Sequence, residues 1–127
     1  MKKITDFIRR LGIDYIVEQG TDGDWEYRKW KSGKFEAWYA GSITISCTTP
    51  STAYGGYRST NQIPVAIPSA MQSWTFRNIN ITKMNSGAPW TNDYYRDGNT
   101  ILGYWHAGSS ESATARKISI YCYGTWR

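Results

Sequence analysis

Between residues 85 and 99 the chain interleaves rings with hydrogen-bonding heads: Trp90, Tyr94 and Tyr95 sit among Asn92, Asp93, Arg96, Asp97 and Asn99. That mixture suits sugar recognition. An aromatic face packs on the apolar face of a pyranose, while carboxylate and amide groups take its hydroxyls. The stretch also holds Asn85, Ser86, Gly87, Pro89 and Gly98, so it reads as the longest turn-rich loop, and binding residues tend to ride on loops over a rigid scaffold. Trp90, Asp93, Tyr94, Tyr95, Arg96 and Asp97 form the first candidate saccharide-binding set. Tyr54 and Tyr57, with Arg58, form a second and weaker one in the polar stretch 49–61. The bland alternative is that Trp90 plugs the end of a barrel inside a solvated turn.

Bond-breaking chemistry has less to stand on. His106 is the single histidine, and zinc needs three or four N, S or O ligands. No nucleophile elbow of the form G-x-S-x-G and no phosphate-binding glycine motif occurs. Ten carboxylates are present, but their spacing singles out no acid–base pair. The expectation is a protein that is not an enzyme, with no metal and no cofactor.

The elements that must position these residues are strands. Thirteen Ile and thirteen Thr stand against two Leu and two Val, and rings make up 16% of the chain. β-Branched and aromatic side chains fit a pleated surface, whereas a Leu-poor chain makes poor helix bundles. At 127 residues the chain has the size of one domain. Ile43, Ile45 and Cys47 alternate with Thr44, Ser46 and Thr48, and Ile118, Ile120 and Cys122 alternate with Tyr121 and Tyr123. Both read as half-buried strands. Ile63, Val65 and Ile67 also alternate, but Pro64 and Pro68 confine that run to a sheet edge. From Trp74 to Met84 the apolar parity switches, which predicts a bulge near Arg77 and Asn78. Residues 25–39 read as a hairpin about a two-residue Ser32-Gly33 turn, pairing Trp30 with Phe35, Lys29 with Glu36, Arg28 with Ala37 and Tyr27 with Trp38. Short strands separated by turn signals predict an all-β fold, an antiparallel β-sandwich or jelly-roll-like barrel over residues 13–127.

Residues 1–12 differ in kind. Ile4, Phe7, Ile8 and Leu11 fall at helical spacing over residues 3–11, and Gly12 suits the stop. A helix that short needs a partner; its own domain or its copies in an oligomer would serve. This segment carries a net charge of +3, leaving +2 for the rest of the net +5. A basic arm on a nearly balanced body is not the basic stripe of a nucleic-acid binder. No run of about 18 apolar residues exists, so no membrane insertion is expected. The two cysteines, Cys47 and Cys122, read as buried free thiols, with a bridge open only if their strands neighbour each other.

Two stretches carry a resemblance. One runs from Asp14-Tyr15-Ile16-Val17-Glu18-Gln19-Gly20-Thr21 through Trp25-Glu26-Tyr27-Arg28-Lys29-Trp30 and Ser32-Gly33 to Glu36-Ala37-Trp38. The other is the ending Ile118-Ser119-Ile120-Tyr121-Cys122-Tyr123-Gly124-Thr125-Trp126-Arg127. Together they resemble the C-terminal domains of tail-fibre and baseplate structural proteins in phages and prophages of Gram-positive bacteria. The likeness covers residues 14–48 and 115–127. It implies a homotrimeric β-domain in the virion, assembled in the bacterial cytoplasm, with other phage tail proteins and a host cell-surface saccharide as partners and Ile4, Phe7, Ile8 and Leu11 on the oligomer axis. Such relatives usually end much longer proteins, so a small stand-alone gene and an excised domain are both open. A purely structural or protein-interaction module of the virion is the second reading, and a cell-wall glycan hydrolase the third.

Overall fold

The computed structural model describes residues 12–51, 55–83 and 89–127, with the backbone alone for Asn92 and Asp93. The expected helix over 3–11, with Ile4, Phe7, Ile8 and Leu11, lies outside the described residues, as does Tyr54. The described residues form strands β1 (Ile16–Asp22), β2 (Trp25–Trp30), β3 (Lys34–Cys47), β4 (Thr49–Ser51), β5 (Gly56–Arg58), β6 (Ile63–Ala66), β7 (Thr75–Lys83), β8 (Trp90–Asp97), β9 (Thr100–Ala107) and β10 (Glu111–Thr125), with a 3-10 turn at Ser69–Met71.

These strands make two antiparallel sheets. The first has the order β1-β2-β3-β10-β7. In the second, β9 is central. β8 lies along one of its edges, β5 and β6 lie end to end along the other, and β4 pairs outside β5. The core sits between the sheets. Phe35, Ala37, Ile45 and Cys47 on β3 and Ile118, Ile120 and Cys122 on β10 meet Val65, Ile101 and Trp105 from the second sheet, all buried. Burying each such large apolar side chain contributes about 1.5–3 kcal/mol. The all-β sandwich that alternation predicts is the fold observed. Both cysteines are buried free thiols, and burial pushes the Cys122 thiol up to about 12.

The hairpin over residues 25–39 forms, but one residue out of the expected register. Lys29 pairs with Phe35, Arg28 with Glu36, Tyr27 with Ala37, Glu26 with Trp38 and Trp25 with Tyr39. The loop holds three residues, Lys31 to Gly33. Gly33 has φ +98° and its N–H donates to the Trp30 carbonyl at 3.0 Å. The Asp14 carboxylate holds the loop by accepting from the Ser32 backbone N (2.9 Å) and hydroxyl (2.6 Å). Burial decides this register. It puts Trp25 and Tyr27 on the same face as Phe35, Ala37 and Tyr39, whereas the two-residue turn would have set Glu26 and Arg28 against them.

Residues 90–97 are a strand rather than part of a loop. The turn is only Gly98-Asn99, with Gly98 at φ +57° and Asp97 paired with Thr100. The bulge expected in β7 is present: Tyr123 pairs with Asn78 and Gly124 with Phe76, leaving Arg77 unopposed. It brings Phe76, Ile79 and Ile81 together against the core despite their mixed parity. The two stretches that carry the sequence resemblance also meet in space. The Trp126 backbone N donates to the Gly33 carbonyl at 2.8 Å, and its indole N–H to the Trp30 carbonyl at 2.9 Å.

Candidate functional site

The candidate residues of 90–97 are dealt to opposite faces by the pleat of β8. On β9, Ile101 and Trp105 are buried toward the core, which leaves Thr100, Leu102, Tyr104 and His106 on the outer face. Across the ladder, Tyr95 lies opposite Leu102, Asp97 opposite Thr100 and the Asp93 backbone opposite Tyr104. Trp90 has even parity and would point inward with Tyr94 and Arg96. A bulge between Trp90 and Asp93 puts it opposite His106 instead, on the outer face with Tyr95. Trp90 is 44% and Tyr95 47% exposed.

Both rings are braced. Trp90 leans on the imidazole of buried His106, centroids 5.0 Å apart and planes at 33°. The Tyr95 hydroxyl donates to the Gln62 side-chain carbonyl at 3.3 Å. Between them, Arg58, opposite His106 on β5, lays its guanidinium 4.6 Å from the centre of the Tyr104 ring. Four residues of β9 separate the partners of Trp90 and Tyr95, so the two rings stand about 14 Å apart at about 3.4 Å per residue. The result is a track along β9: exposed ring, cation on ring, exposed ring.

The chain matches no known protein family, no curated protein and no solved structure.

The remaining candidates serve the fold. The Tyr94 hydroxyl accepts from the Ile81 backbone N at 3.1 Å, tying β8 to β7 of the other sheet. The Arg96 guanidinium donates to the carbonyls of Trp74 (2.5 Å), Gln72 (2.5 Å) and Gly98 (2.9 Å) and covers the Phe76 ring at 4.7 Å. Tyr57 packs against the core. Thus the structure brings Trp90, Tyr95, Asp97 and Arg58 to one face with the backbone position of Asp93, and turns Tyr94, Arg96 and Tyr57 away from it. Sequence reading missed Tyr104 and Gln62, which brace the track; alternation along 100–106 was the signal for Tyr104, and Gln62 carried none. Among the described residues no group of three or more His, Cys, Asp or Glu side chains could hold a metal ion.

A second aromatic cluster lies on the outer face of the first sheet, where Trp38 pairs with Tyr121 across the strands and Tyr123 stands beside Tyr121 along β10. The Tyr121 hydroxyl donates to Glu36 Oε2 at 2.5 Å. That hydrogen bond to a carboxylate, then burial, pushes the phenol up to about 12 from its ordinary 10.0. Because the folded value is the higher one, the contact stabilises the fold fully below pH 10.0 and its contribution is lost as the pH rises toward about 12. A spectrophotometric titration is expected to show one phenol ionising near 12, and Glu36→Gln to bring that step down toward the ordinary tyrosine range. A wild-type curve with no late phenol would contradict this.

Proposed function

We propose that this is a non-enzymatic binding module that holds an extended saccharide of a host cell surface on the outer face of β8 and β9. The observation that carries the reading is the pair of exposed, braced rings, Trp90 and Tyr95, aligned with Arg58 on a rigid sheet. Rings fixed before binding lose little conformational freedom on contact, so stacking is not offset by ordering. The spacing suits a chain of several sugar units rather than one. The resemblance of residues 14–48 and 115–127 to phage tail-fibre and baseplate domains supports a place at the tail tip, as a homotrimer joined to other tail proteins. Three copies would multiply weak sites by avidity.

The test is a glycan array. Wild-type protein is expected to bind a defined saccharide class, and Trp90→Ala to weaken that binding about tenfold or more, a loss of roughly 1.4 kcal/mol. Some stability is lost with the ring, because half-buried Trp90 covers His106, so binding is read on variant protein that a melt shows to be folded. Wild-type protein that binds no saccharide would sink the reading. For assembly, light scattering should give three times 14.5 kDa; a monomer would remove the trimer. A second reading, a protein-interaction module within the particle, is favoured by Ile13, Ile16 and Val17, which stand exposed at the start of edge strand β1 and just before it.

A further inference from the structure

The outer face of the first sheet differs from ordinary solvated sheet surface. Two rows of residues cross all five of its strands. One runs Gln19, Arg28, Glu36, Tyr123, Asn78, and the next runs Thr21, Glu26, Trp38, Tyr121, Asn80. Every member is a ring, an amide, a hydroxyl or a charge, and none is aliphatic. At about 4.8 Å between strands the panel is about 19 Å wide. Its rings touch in sequence: Trp38 and Tyr121, paired across the strands, have centroids 5.8 Å apart, and Tyr121 and Tyr123, neighbours along β10, 6.2 Å. Arg28 holds its guanidinium 5.3 Å from the centre of the Trp38 indole. Two open depressions flank that indole. One of about 310 Å³ is bounded by Gln19, Thr21, Glu26, Arg28 and Trp38. The other, about 370 Å³, is bounded by Asp24, Glu26, Arg28, Trp38 and Ala40. Both are at the small end of the range for ligand sites, about 300–1,000 Å³.

We propose that this panel is a second saccharide site, separate from the β8–β9 track, which takes a neutral oligosaccharide lying across the strands with one sugar unit against Trp38. The charges choose the ligand. Glu26, Glu36 and Asp24 stand against Arg28 and Lys34, whose ammonium lies 3.9 Å from Glu36, so the panel is close to balanced with one carboxylate in excess and favours a neutral ligand over a phosphate-bearing or uronic-acid polymer. A cationic sugar would compete with Arg28 for the indole face. A neutral sugar finds carboxylate and amide acceptors, guanidinium and amide donors, and rings for its apolar face. The row also fits a sugar better than a protein core contact, since burying Glu26 and Arg28 under an apolar partner would cost their solvation. The two sites face away from each other across the sandwich, so one short ligand cannot occupy both, and each copy of the chain can join two saccharide strands.

The experiment uses the full chain with its indole N–H signals assigned. Neutral oligosaccharides of one to four units, as glucose, galactose and N-acetylglucosamine series, are added at millimolar concentration, with glycerol phosphate as the anionic probe. A saturable shift of the Trp38 indole is expected with at least one neutral series and none with glycerol phosphate. That shift should survive Trp90→Ala with unchanged affinity and weaken about tenfold in Arg28→Ala and in Glu26→Gln, as loss of a hydrogen bond to a charged group predicts. Both of these side chains are exposed, so the variants keep the fold. The proposal is overturned if no neutral series moves Trp38, if glycerol phosphate moves it equally, or if Arg28→Ala and Glu26→Gln bind as well as wild type. Loss of the Trp38 shift in Trp90→Ala would also overturn it, since that makes the two faces one site, while a Trp38 shift without any Trp90 shift leaves this site standing and removes the other.

Discussion

Gly124→Ala is expected to destabilise the domain by about 3 kcal/mol or more, at the upper end for overpacking, and to lower the melting temperature by roughly 10 °C or more. A Cβ at this position would stand 1.9 Å from the Thr75 carbonyl oxygen, 2.9 Å from the Phe35 ring and 3.0 Å from the Arg77 backbone N. Two of those atoms are backbone, so no side-chain rotation relieves the clash. The position lies where β10 passes between β3 and the bulge in β7, with Phe35 paired on one side and Phe76 on the other. Relief requires the strands to part, which would loosen the Phe35, Phe76 and Trp74 ring cluster, whose centroids are 4.8 and 5.1 Å apart. Thermal melting of the alanine variant reads the effect. A loss under about 1 kcal/mol, the usual size of a point change, would show that the bulge yields without cost.

The second large effect is expected at Arg96. Arg96→Ala removes the donors for the Trp74, Gln72 and Gly98 carbonyls and uncovers Phe76. Stranding part-buried acceptors costs about 1–3 kcal/mol each, reduced where water can enter, and a total of about 2–4 kcal/mol follows. Arg96→Lys should recover less than half of it, because an ammonium cannot reproduce the planar fork that spans two carbonyls. Below its lowered melting temperature, Arg96→Ala should still bind saccharide like wild type, the reverse of Trp90→Ala. Denaturant melts paired with the glycan array separate the two. Binding lost in Arg96→Ala while the protein stays folded would return this residue to the proposed saccharide site.

These contrasts show what could be read from residue order and what could not. Ile43, Ile45, Cys47 and Ile118, Ile120, Cys122 each signal a buried face on their own, because a pleat has period two and needs no knowledge of its partner. The β7 bulge was legible for the same reason, as a switch of parity within one run. The hairpin register was not, because a two-residue and a three-residue loop both accept Ser32-Gly33, and the choice rests on which of Trp25, Tyr27 or Arg28 shares a face with Phe35. Residues 90–97 read as loop because their alternation is written in polar residues, with little aliphatic contrast. The ligand candidates were grouped by adjacency, and a strand separates adjacent residues by design: Tyr94 and Arg96 went inward while Tyr95 went outward. The Trp38 panel was hidden by distance along the chain, since its neighbours Arg28 and Tyr121 come from strands that no local pattern pairs with it.

β10 lies between β3 and β7 and hydrogen-bonds to both. A ribosome releases residues 111–125 after every other strand of that sheet, so β3 and β7 must wait, each with a bare edge, until the filler between them emerges. Closure joins positions as far apart as Lys34 and Thr125, which is slow because long loops must be drawn shut first. During that interval the half-made sheet is open to pairing with another nascent chain through the bare edges of β3 and β7.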